Sequence, residues 1–245
     1  MKKLIPLLVI SFLFIACNSE KKETADTIIN KAIDVAGGKK YTNAEIHFNF
    51  RGTKYTSIRK NETYQYQREF KDSIHVIHDV LNNDGFTRFI DDKAVTLADS
   101  MAVKYEASVN SVHYFALLPY GLNDKAVLKS KLGAVVINGK NYHKIKVTFQ
   151  EEGGGEDFDD VFVYWVNKES YTVDFLAYSY QEDSGIGMRF REAYNARIVN
   201  GLRFVDYNNF KPADKNLSLL EMDKAFENGK LKLLSTIELK DIRVK

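Results

Sequence analysis

The sequence predicts an α+β protein built on a strongly curved antiparallel β-sheet with a few short helices plugging or flanking its concave face. Three observations lead there. Apolar residues alternate with polar ones at period two over much of the chain, Asn-Gly pairs stand between such runs, and helical periodicity is confined to short separate stretches. The order helix, strands, helix, many strands excludes regular βαβ units.

The first stretch is not part of that domain. Met1-Lys2-Lys3 precedes thirteen uncharged residues, Leu4 to Ala16, the layout of a secretory signal peptide. At 1.5 Å per residue such a helix covers roughly 20 Å of a bilayer core about 30 Å thick, so it addresses the chain for export and does not span. Phe14-Ile15-Ala16-Cys17 then resembles the lipobox of bacterial lipoproteins, with Phe14 where that motif usually has Leu. Cys17 is the single cysteine of the 245 residues, and no second thiol exists to pair with it in an oxidising compartment. Two readings stand: a lipid anchor at Cys17, and an ordinary apolar residue in the leader of a soluble secreted protein. The anchor implies residues 1–16 as signal peptide, 17–26 as lipidated cysteine and polar tether, and 27–245 as a single domain. Asn18 is not the Asp that retains lipoproteins in the inner membrane of some bacteria, which points to the outer membrane.

Lys2 and Lys3 lie in the leader, and the rest of the 35 Lys and Arg balance 33 Asp and Glu. A neutral chain lacks the counterion-release drive of nucleic-acid binding, so nucleic acid is excluded as a partner. Two of the 3 prolines follow the leader, and no Gly/Ser or Pro-rich linker divides the remainder.

Ile28, Ile29, Ala32, Ile33 and Ala36 recur at helical spacing and Gly37-Gly38 stops them, predicting a helix over about 25–36. From Ala44 the period becomes two: Ile46, Phe48 and Phe50 alternate with His47, Asn49 and Arg51. Met101, Tyr105, Val109, Val112 and Phe115 form one stripe of a second helix over about 100–117, with Pro119 and Gly121 just after it. Ile145, Val147 and Phe149 alternate with Lys144, Lys146 and Thr148. Asn-Gly at 138, 200 and 228 predicts hairpin turns, because both turn residues must tolerate positive φ. A short third helix is expected over 217–226.

The segment VFVYWVNKESYTVDFLAYSY, residues 161–180, is the richest in the sheet. A two-residue turn at Lys168-Glu169 sets Val166 opposite Tyr171, Tyr164 opposite Val173 and Phe162 opposite Phe175, gathering them on one face. The other face, Val161, Val163 and Trp165 with Thr172, Asp174 and Leu176, is mixed. With 14 Tyr, 16 Phe and 1 Trp and few helices to cover them, the sheet is expected to curve around a large apolar interior. That interior is either a filled core or a cavity.

Tyr142, Ile145, Val147 and Phe149, an acidic loop, then Tyr164, Trp165, Val166, Asn167-Lys168-Glu169 and Tyr171 resemble the strand pair of the outer-membrane lipoprotein carrier and receptor (LolA/LolB-like) superfamily. The mature chain also resembles a group of uncharacterised bacterial envelope lipoproteins. The resemblance implies an unclosed β half-barrel with helices plugging its mouth and an apolar concavity for acyl chains, lined here by Phe48, Phe50, Ile145, Val147, Phe149, Phe162, Tyr164, Val173 and Phe175. The soluble carriers of that superfamily shuttle between membranes, whereas an anchor at Cys17 fixes this domain to one surface.

Catalytic and cofactor signatures are lacking. There is no Gly-x-Ser-x-Gly and no His-Glu-x-x-His, and GAVVINGKN from Gly133 has five intervening residues where a phosphate loop needs four. It reads as strand edges around an Asn-Gly turn. His75 and His78, with Asp79 nearby, point to opposite faces of a strand and do not share an ion. Glu151, Glu152, Glu156, Asp157, Asp159 and Asp160 offer hard oxygen ligands without the spacing of a calcium loop, and read as a solvated hairpin loop or a weak calcium site. No enzyme activity, cofactor or metal is expected. The function expected is an envelope lipoprotein that binds acyl chains or another apolar ligand, against a non-catalytic scaffold with a fully packed core.

Overall fold

A computed structural model describes residues 23–152, 158–182, 185–214 and 216–245. Residues 1–22, which include the leader and Cys17, lie outside the described residues. Helix α1 spans Ala25–Ala36: the Thr24 hydroxyl accepts from the Thr27 N–H and caps its start, and Gly37, at φ 137°, ends it. A side chain at Gly37 would collide with Leu202, so both the conformation and the close approach call for glycine.

Six strands follow in sequential hairpins: β1 Glu45–Phe50, β2 Thr53–Lys60, β3 Thr63–Lys71, β4 Val76–Asn82, β5 Gly85–Ile90 and β6 Lys93–Val95. Helix α2, Asp99–Ala116, leads to β7 Val127–Ile137, β8 Lys140–Phe149, β9 Val161–Asn167, β10 Val173–Glu182, β11 Gly185–Val199 and β12 Leu202–Pro212. Helix α3, Met222–Glu227, precedes β13 Leu231–Ile237 and β14 Lys240–Val244. The strands form two antiparallel seven-stranded sheets, ordered β14-β1-β2-β3-β4-β5-β6 and β13-β12-β11-β10-β9-β8-β7. The chain steps from one sheet to the other between β13 and β14. At that corner Asp206 accepts the Leu239 N–H at 2.9 Å, and Arg197 donates both to Asp206 and to the Leu239 carbonyl. The sheets do not close, and the result is the curved α+β half-barrel expected.

The alternation of β1 is that of a half-buried strand: Ile46, Phe48 and Phe50 turn inward. The concave side packs α1 and α2 into one core that joins Ile28 and Ile29 to Phe48, Val109, Ile145 and Tyr164. In α2 only part of the predicted stripe is buried, namely Val109, Val112 and Phe115, while Met101 is exposed.

Two of three local expectations are corrected. Asn138-Gly139 and Asn200-Gly201 are hairpin turns with positive φ, but Asn228-Gly229 is not: Asn228 caps α3, and Gly229 at φ 64° releases the chain from it. The third helix expected over 217–226 is present as a 3₁₀ turn, Leu219–Glu221, running directly into α3, Met222–Glu227. The β9–β10 connection is longer than Lys168-Glu169, because the Asn167 side chain accepts from the Glu169 and Ser170 N–H groups at 2.9 and 3.2 Å and Tyr171 takes φ 56°. Val173 therefore pairs with Val166, and an irregularity between Val173 and Phe175 sets Phe175 opposite Trp165, Leu176 opposite Tyr164 and Tyr178 opposite Phe162. One extra residue reverses the facing of all that follows. Phe175 turns to the convex side.

That convex side is a second core. Phe175, Trp165, Val163, Phe190 and Ile137 cluster with Met222 of α3, so the segment between β12 and β13 folds back over the outer face of the second sheet.

Candidate ligand-binding site

A cleft of ≈ 760 Å³ lies between α2 and the second sheet. Helix α2 contributes Glu106, Asn110, Tyr114 and Phe115. The strands contribute Phe149, Phe162, Leu176, Tyr178 and Arg191, and the β8–β9 connection adds Glu151, Phe158 and Asp160. Phe162 is the aromatic hub. Its ring centre lies 5.5 Å from Tyr114, 5.8 Å from Phe149 and 5.2 Å from Tyr178, the first two edge-on and the third stacked.

The Tyr114 and Tyr164 hydroxyls meet at 2.7 Å. Burial pushes both phenols well above their usual range, which keeps them neutral. The Arg191 guanidinium donates to the Tyr178 hydroxyl at 2.8 Å and lies 4.9 Å from the Phe115 ring centre. Its Nε is buried without a hydrogen-bond partner. The cleft offers apolar walls, the neutral Tyr114 phenol, the Arg191 cation and the carboxylates of Glu106, Glu151 and Asp160.

Of the residues expected to line a cavity, Phe149 and Phe162 do so. Phe48, Phe50, Ile145, Val147, Tyr164 and Val173 share the concave core with them but are packed inside it, with Ile145, Val147 and Tyr164 at 0% exposure. Phe175 belongs to the other core. Helices α1 and α2 pack into the concavity, and the cleft beside α2 is left open.

Sequence reasoning missed Leu176, Tyr178 and Arg191. Their alternation is visible in LAY and RFR once the irregularity after Val173 is placed, but no residue there announces it. The other candidates resolve simply. His75 Nδ1 lies 2.6 Å from Asp91 and His78 Nε2 lies 3.1 Å from Gln67, so the two imidazoles have separate partners. Asp79 is bound by Arg68 and Arg88. Of the acidic loop, Glu156 and Asp157 lie outside the described residues, while Glu151 and Asp160 flank the cleft.

Comparison of folds finds a LolA superfamily protein from Nitrosomonas europaea, at TM-score 0.50 and 13% identity over 90% of this chain and 93% of that one. A DUF1329 family protein from Desulfovibrio piger follows at TM-score 0.40 and 9% identity, again over 90% and 93%. At such identity the likeness is one of fold. No curated protein sequence matches significantly. A family model, described as a family of unknown function (DUF6503), matches residues 2–239, and the chain belongs to that family.

Proposed function

We propose that this protein is a non-catalytic envelope lipoprotein, anchored through Cys17 after removal of residues 1–16, that holds an acyl chain or a similar apolar ligand in the cleft beside α2. The observation that carries the reading is the cleft itself, with Phe149, Phe158, Phe162 and Leu176 presenting apolar surface to a ≈ 760 Å³ space. Each methylene buried against such a wall contributes about 0.8 kcal/mol, so an acyl chain needs no catalytic group to bind usefully.

The way the chain enters the fold sets how far an anchored domain stands from the membrane. The Glu23 carboxylate accepts from Lys31 at 2.6 Å and Tyr171 at 2.9 Å and lies 3.2 Å from His143, while Lys131 donates to the Glu23 carbonyl at 2.8 Å. From that fixed point six residues lead back to Cys17, a reach of at most about 20 Å. A lipid at Cys17 would hold the cleft close to one membrane surface, which we take to be the outer membrane.

The test is titration of a fluorescent acyl-chain probe into purified protein carrying Cys17→Ser. Saturable binding of one probe per chain is expected. A folded protein that leaves the probe in solution overturns the ligand-binding reading and favours a scaffold with a packed interior.

A further inference from the structure

An apolar ligand accounts for the walls of the cleft but not for Arg191. This side chain stands on β11 opposite Leu176 of β10, among aromatic rings, with its guanidinium carbon 4.9 Å from the Phe115 centre and 5.0 Å from that of Tyr178. One terminal nitrogen donates to the Tyr178 hydroxyl at 2.8 Å. Its Nε–H is buried and has no acceptor. Among the described residues no carboxylate is paired with it. Arginine cannot shed its charge, and this one is half-buried in the lining of the cleft.

The carboxylates of the cleft come from the other side. Glu106 belongs to α2, and Glu151 and Asp160 to the β8–β9 connection, whereas Arg191 projects from the sheet. Glu106 and Glu151 are exposed. The cleft therefore carries exposed acid at Glu106 and Glu151 and a half-buried cation at Arg191, with Phe149, Phe162 and Leu176 in its apolar lining.

We propose that the ligand is a single-chain amphiphile ending in an oxyanion, a carboxylate or a phosphate, whose head accepts from the terminal N–H groups of the Arg191 guanidinium and the Tyr178 hydroxyl while its chain lies along Phe149, Phe162 and Leu176. This rests on the reading of the cleft as an acyl-chain site. The guanidinium supplies a charge-assisted donor beside apolar walls, and the exposed Glu106 and Glu151 oppose the reverse orientation. The Tyr178 hydroxyl accepts from Arg191 and has its own proton to give to the same head.

Laurate, dodecyl phosphate and dodecanol, titrated separately into full-length protein carrying Cys17→Ser, share a chain and differ in the head. At least one of the two oxyanions is expected to bind about tenfold or more tightly than the alcohol, and the ratio between laurate and dodecyl phosphate identifies the head. The preference is expected to vanish in Arg191→Met and to persist, reduced, in Arg191→Lys, which keeps a charge but loses the planar guanidinium fork. Equal binding of all three overturns this inference and leaves the apolar cleft standing. Binding of none overturns the cleft reading and this inference with it. Fluorescence of Trp165 reports whether each variant folds. Should Arg191→Met not fold, Arg191→Lys decides: an undiminished preference there removes the head from Arg191.

Discussion

Lys144 Nζ lies 3.0 and 2.9 Å from the two carboxylate oxygens of Asp223, a buried ion pair that fastens α3 to the convex face of the second sheet. The Trp165 indole N–H donates to the same carboxylate at 3.2 Å, and Lys144 also donates to the Leu220 carbonyl. The pair explains how a sheet that is apolar on both faces stays covered. Helices fill the concave side, and α3, pinned through Asp223, covers the other.

Removing one partner leaves a buried charge without its counterpart. Asp223→Ala is expected to lose about 3–5 kcal/mol, whereas Asp223→Leu combined with Lys144→Met recovers most of that loss, because the paired charges themselves add little over a well-packed apolar contact. Trp165 is the single tryptophan and fully buried, so urea unfolding followed by its fluorescence measures both variants. A loss below about 1 kcal/mol in Asp223→Ala would show that the segment is not held by this pair.

The two faces of the β9–β10 hairpin predict opposite outcomes for two phenylalanines. Phe175→Gln buries an amide among Trp165, Phe190 and Phe226 and is expected to cost about 3–5 kcal/mol, with the probe affinity of the folded protein unchanged. Phe162→Gln, at the cleft, is expected to weaken the acyl probe about tenfold at a smaller cost in stability. Lys146→Gln changes neither. Probe titration and urea midpoints on the three variants read both quantities, and a probe affinity that follows Phe175 instead of Phe162 would move the site to the convex side.

Most of the architecture was legible because it depends on periodicity. The stripe of α1, the alternation of β1 and β8, and the Asn-Gly turns at 138 and 200 are local signals that the fold obeys. What escaped was set by single residues acting at short range. The Asn167 side chain organises a longer turn, and the irregularity after Val173 reverses the facing of Phe175, Leu176 and Tyr178; neither alters the hydrophobic pattern enough to be seen in it. Asn228-Gly229 shows the same limit, since positive φ at the glycine serves a helix end as well as a hairpin. The cleft was half legible. Phe149 and Phe162 followed from alternation, but how much of the concavity α1 and α2 fill is a question of volume, which periodicity does not address.

The anchor is tested by the thiol. Cys17→Ser is expected to leave the fold intact and to move the protein from the membrane fraction to the soluble one. Sedimentation with membranes after a high-salt wash would show that attachment does not depend on Cys17.

The last prediction concerns His113, which α2 buries completely against the first sheet. Its Nε2 lies 3.1 Å from the Gln67 carbonyl and therefore carries the proton, leaving Nδ1 buried without a partner. The ring stacks on Tyr66 at 4.4 Å and meets Phe48 and Tyr55 edge-on at 5.7 and 5.6 Å. Burial lowers its pKa from 6.5 to about 3, and the nearby Arg59 acts in the same direction. The unfolded chain, with an ordinary imidazole, therefore binds a proton between those values that the folded chain refuses. Stability from this group is complete above pH 6.5 and is lost as the pH falls towards 3, by about 1.4 kcal/mol per unit inside the window. His113→Phe keeps the stacking and removes the proton, at the cost of the Gln67 bond, so it is less stable at neutral pH but less sensitive to acid. Between pH 7 and pH 5 the wild type is expected to lose about 2 kcal/mol more than the variant, read from urea midpoints by Trp165 fluorescence. Parallel losses would mean that His113 accepts its proton within the fold, and that α2 does not shield it from water.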